Sequence, residues 1–110
     1  MEKLIKGDIV VVPFPFSDLT QAKRRPALIT VNLEGDDLIL CQITSQKIKD
    51  KYAIPIDERN IEKGSLKKKN NVRPNRIFMA DKNIILYRIG HLKTEKTQEI
   101  IKKIITIFKS

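Results

Sequence analysis

Arg25 and the hydroxyl pair Thr44-Ser45, side chains suited to holding a phosphate, stand on either side of the turn sequence Glu34-Gly35. Arginine presents a planar fork of N–H donors that matches phosphate oxygens, and a threonine or serine hydroxyl adds another donor to the same group. Whether the two meet is a matter of strand register. If Glu34-Gly35 forms a two-residue hairpin loop, the numbers of facing residues sum to a constant and Arg25 falls opposite Thr44. A loop longer by one residue sets Arg25 against Ser45, and by two against Gln46. In every case a guanidinium and one or two hydroxyls share the open end of one hairpin, with facing Cα atoms roughly 4.5 to 5.5 Å apart. An ordinary polar strand end would carry the same residue types, and pairing alone favours that plainer reading.

Other chemistries are thinly supplied. His91 is the only histidine, which speaks against a two-histidine ribonuclease, a histidine-rich metal site or a Cys–His dyad. It follows Gly90 just ahead of the last apolar segment, a position suited to a surface or capping role. Cys41, the single cysteine, forms no intrachain disulfide and lies in a predicted core strand, and its isolation suits a reducing, cytoplasmic compartment. No glycine-rich phosphate loop is present. The residues at the N-terminus, with Lys3 and Lys6 flanking only Leu4 and Ile5, contain no signal peptide, and no apolar run approaches membrane-spanning length.

The charge balance is the strongest compositional feature. Twenty-two Lys and Arg against thirteen Asp and Glu leave a formal net charge of +9 on 110 residues. The Glu and Lys enrichment typical of heat-adapted surfaces would not leave that excess, so the composition points to a polyanionic partner, most simply nucleic acid. The basic residues gather as Lys23-Arg24, as Lys47, Lys49 and Lys51, and as Lys67, Lys68 and Lys69 with Arg73 and Arg76.

The elements that must position these groups read as short strands. Residues 9–16 are rich in Val and Phe, and Pro13 and Pro15 mark a strand leaving its sheet. Residues 25–31 form a second strand, 32–37 a turn, and 38–45 a third strand with Ile39, Cys41 and Ile43 on the inward face. Residues 52–56 form a short strand broken by Pro55, and residues 57–63 before Gly64 a single helical turn with a glycine stop. Residues 72–79 form one more strand, and 81–86 a short helical turn. The chain then closes with a helix that Thr94 caps and whose apolar face is Ile100, Ile101, Ile104, Ile105 and Phe108. The whole of 1–110 is therefore expected to form one domain, mainly β with a C-terminal α-helix, as a small closed or half-closed barrel.

Six segments, in order, resemble one family. Gly7-Asp8-Ile9-Val10 runs on to Pro13-Phe14-Pro15-Phe16-Ser17-Asp18-Leu19, and Arg24-Arg25-Pro26-Ala27-Leu28-Ile29 precedes Ile43-Thr44-Ser45. Gly64-Ser65-Leu66 and Val72-Arg73-Pro74-Asn75-Arg76-Ile77-Phe78 continue the pattern. Together they are similar to the MazF/PemK toxins of type II toxin–antitoxin systems, in the branch with a PFPF motif. The resemblance implies an SH3-like barrel of the MazF/PemK/CcdB kind that forms a homodimer. It also implies an endoribonuclease (mRNA interferase) that cuts single-stranded RNA without metal or cofactor, and an antitoxin whose acidic or amphipathic tail lies across the RNA groove.

Matched residue by residue, the resemblance implies Arg25 and Thr44 as the catalytic pair. RNA-binding positions are then expected at Phe16, Ser17, Asp18, Gln21, Lys23 and Arg24 before and beside Arg25, at Ser45, Gln46 and Lys47 after Thr44, and at Lys69 and Arg73 further on. Phe16 is suited to stacking a base or to a core. The implied reaction is attack of a ribose 2′-hydroxyl on the adjacent phosphate, leaving a 2′,3′-cyclic phosphate and a free 5′-hydroxyl. A guanidinium suits stabilising the developing charge, and is a poor base near neutral pH. The chain departs from some relatives in two places. Thr20-Gln21-Ala22-Lys23 lacks their glycine and acidic residue, and Asn70 or Asn71 stands where the PFPF branch often has serine. Two rival functions share the same features: a CcdB-like toxin acting on a protein such as gyrase, although the tryptophan those toxins use is missing here, and a catalytically silent nucleic-acid-binding barrel.

Overall fold

The structure, a computed structural model, describes residues 3–14 and 23–110. Seven strands follow one another as β1 (Asp8–Phe14), β2 (Lys23–Asn32), β3 (Asp37–Thr44), β4 (Ile54–Ile56), β5 (Ile61–Gly64), β6 (Asn70–Asp81) and β7 (Tyr87–Leu92), and the helix α1 (Thr94–Lys109) ends the chain. They form one antiparallel sheet in the order β4-β6-β3-β2-β1-β7-β5.

Connectivity forces that sheet to curl. The two edge strands, β4 and β5, are consecutive in sequence and joined only by residues 57–60. Seven strands laid flat would hold their edges about 29 Å apart. Four residues bridge at most about 18 Å between strand ends. The sheet must therefore bend round toward closure, as expected of a small half-closed barrel, and the chain measures 31 × 29 × 29 Å.

Curling buries both faces of the central strands, which corrects the expected facing of β3. Cys41 and Ile43 do point into one core, with Ile9, Leu28, Val72 and Ile100 of α1. Leu38 and Leu40, expected outside, are fully buried in a second core with Val10, Val12, Ile29 and Ile85, while Ile39 is only half-buried. Leu4 and the Ile84-Ile85 segment cover that second face, so the strands read as continuous apolar runs rather than as alternation. Burial also pushes the Cys41 thiol up to about 12, so it behaves as a small core hydrophobe.

The local expectations fail in three other places. The helical turn foreseen over 57–63 is a single 3-10 turn, Glu58–Asn60, and the chain then extends as β5 against β7. Asp57 and Asn60 close that turn through reciprocal side-chain bonds to each other's end of it, which satisfies the backbone without a longer helix. β7 was not foreseen at all, because Tyr87-Arg88-Ile89-Gly90-His91 lacks a clean period. Thr94 is the first helical residue rather than the cap: Lys93 holds that place without a side-chain bond, and the apolar face of α1 leaves Ile105 and Phe108 exposed.

Gly64 has a role other than stopping a helix. Its φ is +86°, and a Cβ there would press on the Ile89 carbonyl and come within 2.6 Å of the Gly90 Cα where β5 meets β7. Gly64→Ala is expected to cost roughly 2–4 kcal/mol, from left-handed strain plus overpacking, read as a lower urea midpoint. Gly35→Ala, also at positive φ but with open space around it, should cost only about 1 kcal/mol.

Candidate nucleic-acid interface and active site

The register leading toward Arg25 and Thr44 is set by a route other than the expected one. The β2–β3 loop has three residues, Glu34, Gly35 and Asp36, closed by a Leu33 N–H bond of 3.2 Å to the Asp37 carbonyl, and Gly35 takes a φ of +81°. A loop of that length alone would have set Arg25 against Ser45. Between Ile29 and Val31, however, the ladder carries a bulge that absorbs Thr30, whose hydroxyl donates to the Ile39 carbonyl at 2.8 Å. The register beyond it, Leu28 with Cys41 and Ala27 with Gln42, is the one a two-residue loop would have produced. Continued two residues past the last pair, that register would face Arg25 with Thr44.

The β2–β3 ladder stops at Ala27 and Gln42, so the pair lies where the strands part. Arg25 turns to β1, opposite Val12, and Thr44 turns to β6, opposite Asn71. Both side chains are half-buried. The Thr44 hydroxyl oxygen accepts the Gln46 N–H at 3.1 Å, which leaves its own proton free to donate. Asn71 Nδ2 donates to the Gln46 carbonyl at 3.1 Å, so the backbone N–H and C=O of Gln46 are both held, one by Thr44 and one by its strand partner.

The neighbouring expectations sort as follows. Lys23 and Arg24 are exposed at the start of β2, next to Arg25. Ser45, Gln46 and Lys47 are exposed just beyond Thr44, and Lys67, Lys68 and Lys69 are exposed ahead of β6. Phe16, Ser17, Asp18 and Gln21 lie outside the described residues. Arg73 is less open than a groove residue: its side chain is 17% exposed and its Nη2 pairs with Asp50 at 3.2 Å. Arg76 is exposed in the stretch where β6 skips register between Ile77 and Arg73, a break placed at Pro74, which has no N–H to give the ladder. Of the two asparagines, Asn70 is buried and folded back on the Lys68 carbonyl, and Asn71 is the one at the cleft.

Sequence reasoning missed two groups. Asp50 carries no motif of its own, and only the loop fold connects it, through Arg73, to the strand that faces Thr44. His91 was read as a surface or capping residue. It is instead half-buried, with Nδ1 2.8 Å from Oδ1 of the buried Asp8, whose Oδ2 accepts from Arg88 at 3.2 Å and from the Ile5 N–H at 2.9 Å. These groups tie the N-terminal segment to β7, at the other end of β1 from Arg25. Among the described residues no three His, Cys, Asp or Glu side chains are grouped to hold a metal, and no helix is long and apolar enough to cross a membrane.

Fold and site together define a class: a small curled β-sheet with a C-terminal helix, with an arginine and a threonine just past the last β2–β3 pair and exposed basic residues beside them. The chain belongs to the PemK-like, MazF-like toxins of type II toxin–antitoxin systems, the family that matches residues 5–108. Solved structures share the fold. A mycobacterial endoribonuclease in complex with its cognate antitoxin is 12% identical, with 97% of this chain and 96% of that chain covered and a TM-score of 0.72. The Mycobacterium tuberculosis toxin MazF-mt6 is 18% identical, with 93% and 96% covered and a TM-score of 0.70. MazF of a Deinococcus radiodurans MazE-MazF complex is 15% identical, with 94% and 92% covered and a TM-score of 0.71. No curated protein sequence matches significantly.

Proposed function

We propose that this toxin is a metal-independent endoribonuclease that cuts single-stranded RNA in the cytoplasm, with Arg25 and Thr44 as its catalytic pair. The observation that carries the reading is the parting of β2 and β3 at those two residues, with Lys23, Arg24, Lys67, Lys68 and Lys69 exposed on the strands and loops that flank it. A ribose 2′-oxygen forms a bond to phosphorus and gives up its proton, while the bond from phosphorus to the 5′-oxygen breaks and that oxygen gains a proton. The products are a 2′,3′-cyclic phosphate and a 5′-hydroxyl. Arg25 stabilises the charge gathering on the phosphoryl oxygens, and the free proton of Thr44 holds one of them. DNA, without the 2′-hydroxyl, is bound but not cut.

The relatives' antitoxin complexes support an antitoxin partner here, and the net charge of +9 suits one with an acidic or amphipathic tail occupying the same cleft. A homodimer fits the exposed apolar side chains. Val31 and Met79 are exposed on either side of the half-buried Ile39 in one row across β2, β3 and β6, and Phe108 of α1 is also open.

Incubating the purified chain with single-stranded RNA in EDTA, and with DNA of the same sequence, tests the activity. Fragments ending in 2′,3′-cyclic phosphate, from RNA alone, are expected. Binding without cutting would leave the catalytically silent barrel, and topoisomerase inhibition without RNA binding would favour the protein-targeting toxin. Affinity for RNA is expected to fall steeply with salt, roughly 100-fold between 50 and 200 mM if five phosphates are contacted. A flat salt profile would contradict the RNA reading.

A further inference from the structure

The segment from Ser45 to Ala53 leaves β3 at Thr44 and returns to the sheet at β4 without any ladder of its own. It is held instead by side chains. Asn71 grips it at the Gln46 carbonyl. Asp50 then folds its middle, accepting the Tyr52 and Ala53 N–H groups at 2.9 Å each on Oδ1, while its Oδ2 takes Arg73 Nη2 at 3.2 Å. Asn71 and Arg73 are two residues apart on β6 and so share a face, opposite Thr44 and Gln42 respectively. One strand therefore clamps the segment twice, once beside Thr44 and once further out.

We infer that Asp50 and Arg73 are positioning residues, a clasp that fixes the segment carrying Ser45, Gln46 and Lys47 and thereby sets which RNA sequence is cut beside Thr44. The inference rests on the ribonuclease reading above and assigns Arg73 a task other than direct contact with RNA. Three features support it. Arg73 is mostly buried and its Nη2 engages Asp50, so its guanidinium faces the segment rather than solvent. Asp50 is the only carboxylate in residues 45–53, where Lys47, Lys49 and Lys51 surround it, and an acidic group in such a stretch would repel a phosphate unless it were paired. Partial burial works against its charge, yet the Ala53 and Tyr52 amides and Arg73 outweigh that and hold the Asp50 carboxyl below its ordinary value.

The test uses the full chain with Asp50→Asn, Arg73→Gln and the double variant. Asp50→Asn keeps an oxygen to accept the two amides and replaces the charged Oδ2 that takes Arg73 with an NH2 donor. Each single variant is expected to broaden the set of cut sites seen by sequencing fragment ends, and to raise KM for the preferred oligonucleotide about tenfold with a smaller change in kcat. The double variant should be no worse than either single, as partners in one contact require. Exchange of the Tyr52 and Ala53 amides with deuterium should quicken in each. A changed cut-site profile in Arg73→Gln with a wild-type profile in Asp50→Asn would overturn the clasp and make Arg73 an RNA contact. Additive losses in the double variant, or unchanged profiles in both singles, would also overturn it. If the wild-type chain cuts no RNA, it is the ribonuclease reading that has failed. Amide exchange then decides whether the clasp exists, with an unchanged rate counting against it.

Discussion

Arg25→Ala is expected to lower RNA cleavage by roughly 100- to 1000-fold or more, the cost of removing a preorganised donor from developing negative charge. Its melting temperature should stay within a few degrees of wild type. The asymmetry follows from where Arg25 sits. It is half-buried at the start of β2, outside both apolar cores, beyond the last β2–β3 pair, so truncation removes a cleft-lining guanidinium and little packing. Loss of its methylenes should cost about 1 kcal/mol at most. Arg25→Lys distinguishes charge from geometry: a lysine keeps the charge without the planar fork, so recovery to near wild-type rates would show that a point charge suffices. Full activity in Arg25→Ala, measured with fragments sequenced in EDTA, would remove Arg25 from the site.

Asp8→Ala should do the reverse, with a large loss of stability and little direct effect on cleavage by the folded fraction. Asp8 is 1% exposed and its carboxylate serves Ile5, Arg88 and His91 together. Breaking a fully buried ion pair costs about 3–5 kcal/mol. The side chains of Arg88 and His91 keep part of their contact with water, at 26% and 19% exposure, so about 2–3 kcal/mol is the better expectation here. For a chain of this size that is a fall in melting temperature of roughly 10–20 °C. Asp8→Asn, which retains an acceptor for the Ile5 amide, should lose less. The cleft lies about 13 Å along β1, four residues away at Val12, so cleavage at low temperature should persist. A melting temperature within about 3 °C of wild type would show that the cluster contributes little.

These expectations draw unequally on sequence and on fold. The Arg25-Pro26 step and Ile43-Thr44-Ser45 were legible because their residue types carry their own chemistry and the intervening apolar runs form strands wherever they are placed. The terminal helix was legible from its period, apart from a cap shifted by one residue. β7 and β5 were not, since neither segment has a decisive pattern and each becomes a strand by pairing with the other and with β1. The facing of β3 was misjudged for a related reason. Alternation reveals a strand with one wet face, and most of β3 is covered on both faces, by one core on one side and by Leu4 and Ile84-Ile85 on the other.

The sequence by itself determined the family, the basic character and the two side chains on which the proposed chemistry turns. It did not determine the strand register between them. A three-residue loop shifts the hairpin by one and the bulge at Thr30 shifts it back, and a bulge is chosen by packing on the two faces of a twisted sheet rather than by the residues that flank it. The contacts between Asp8 and His91 and between Asp50 and Arg73 likewise join positions distant in sequence. Such pairings are set by strand order and curvature, which short-range propensity does not encode, so only the tertiary structure could place them.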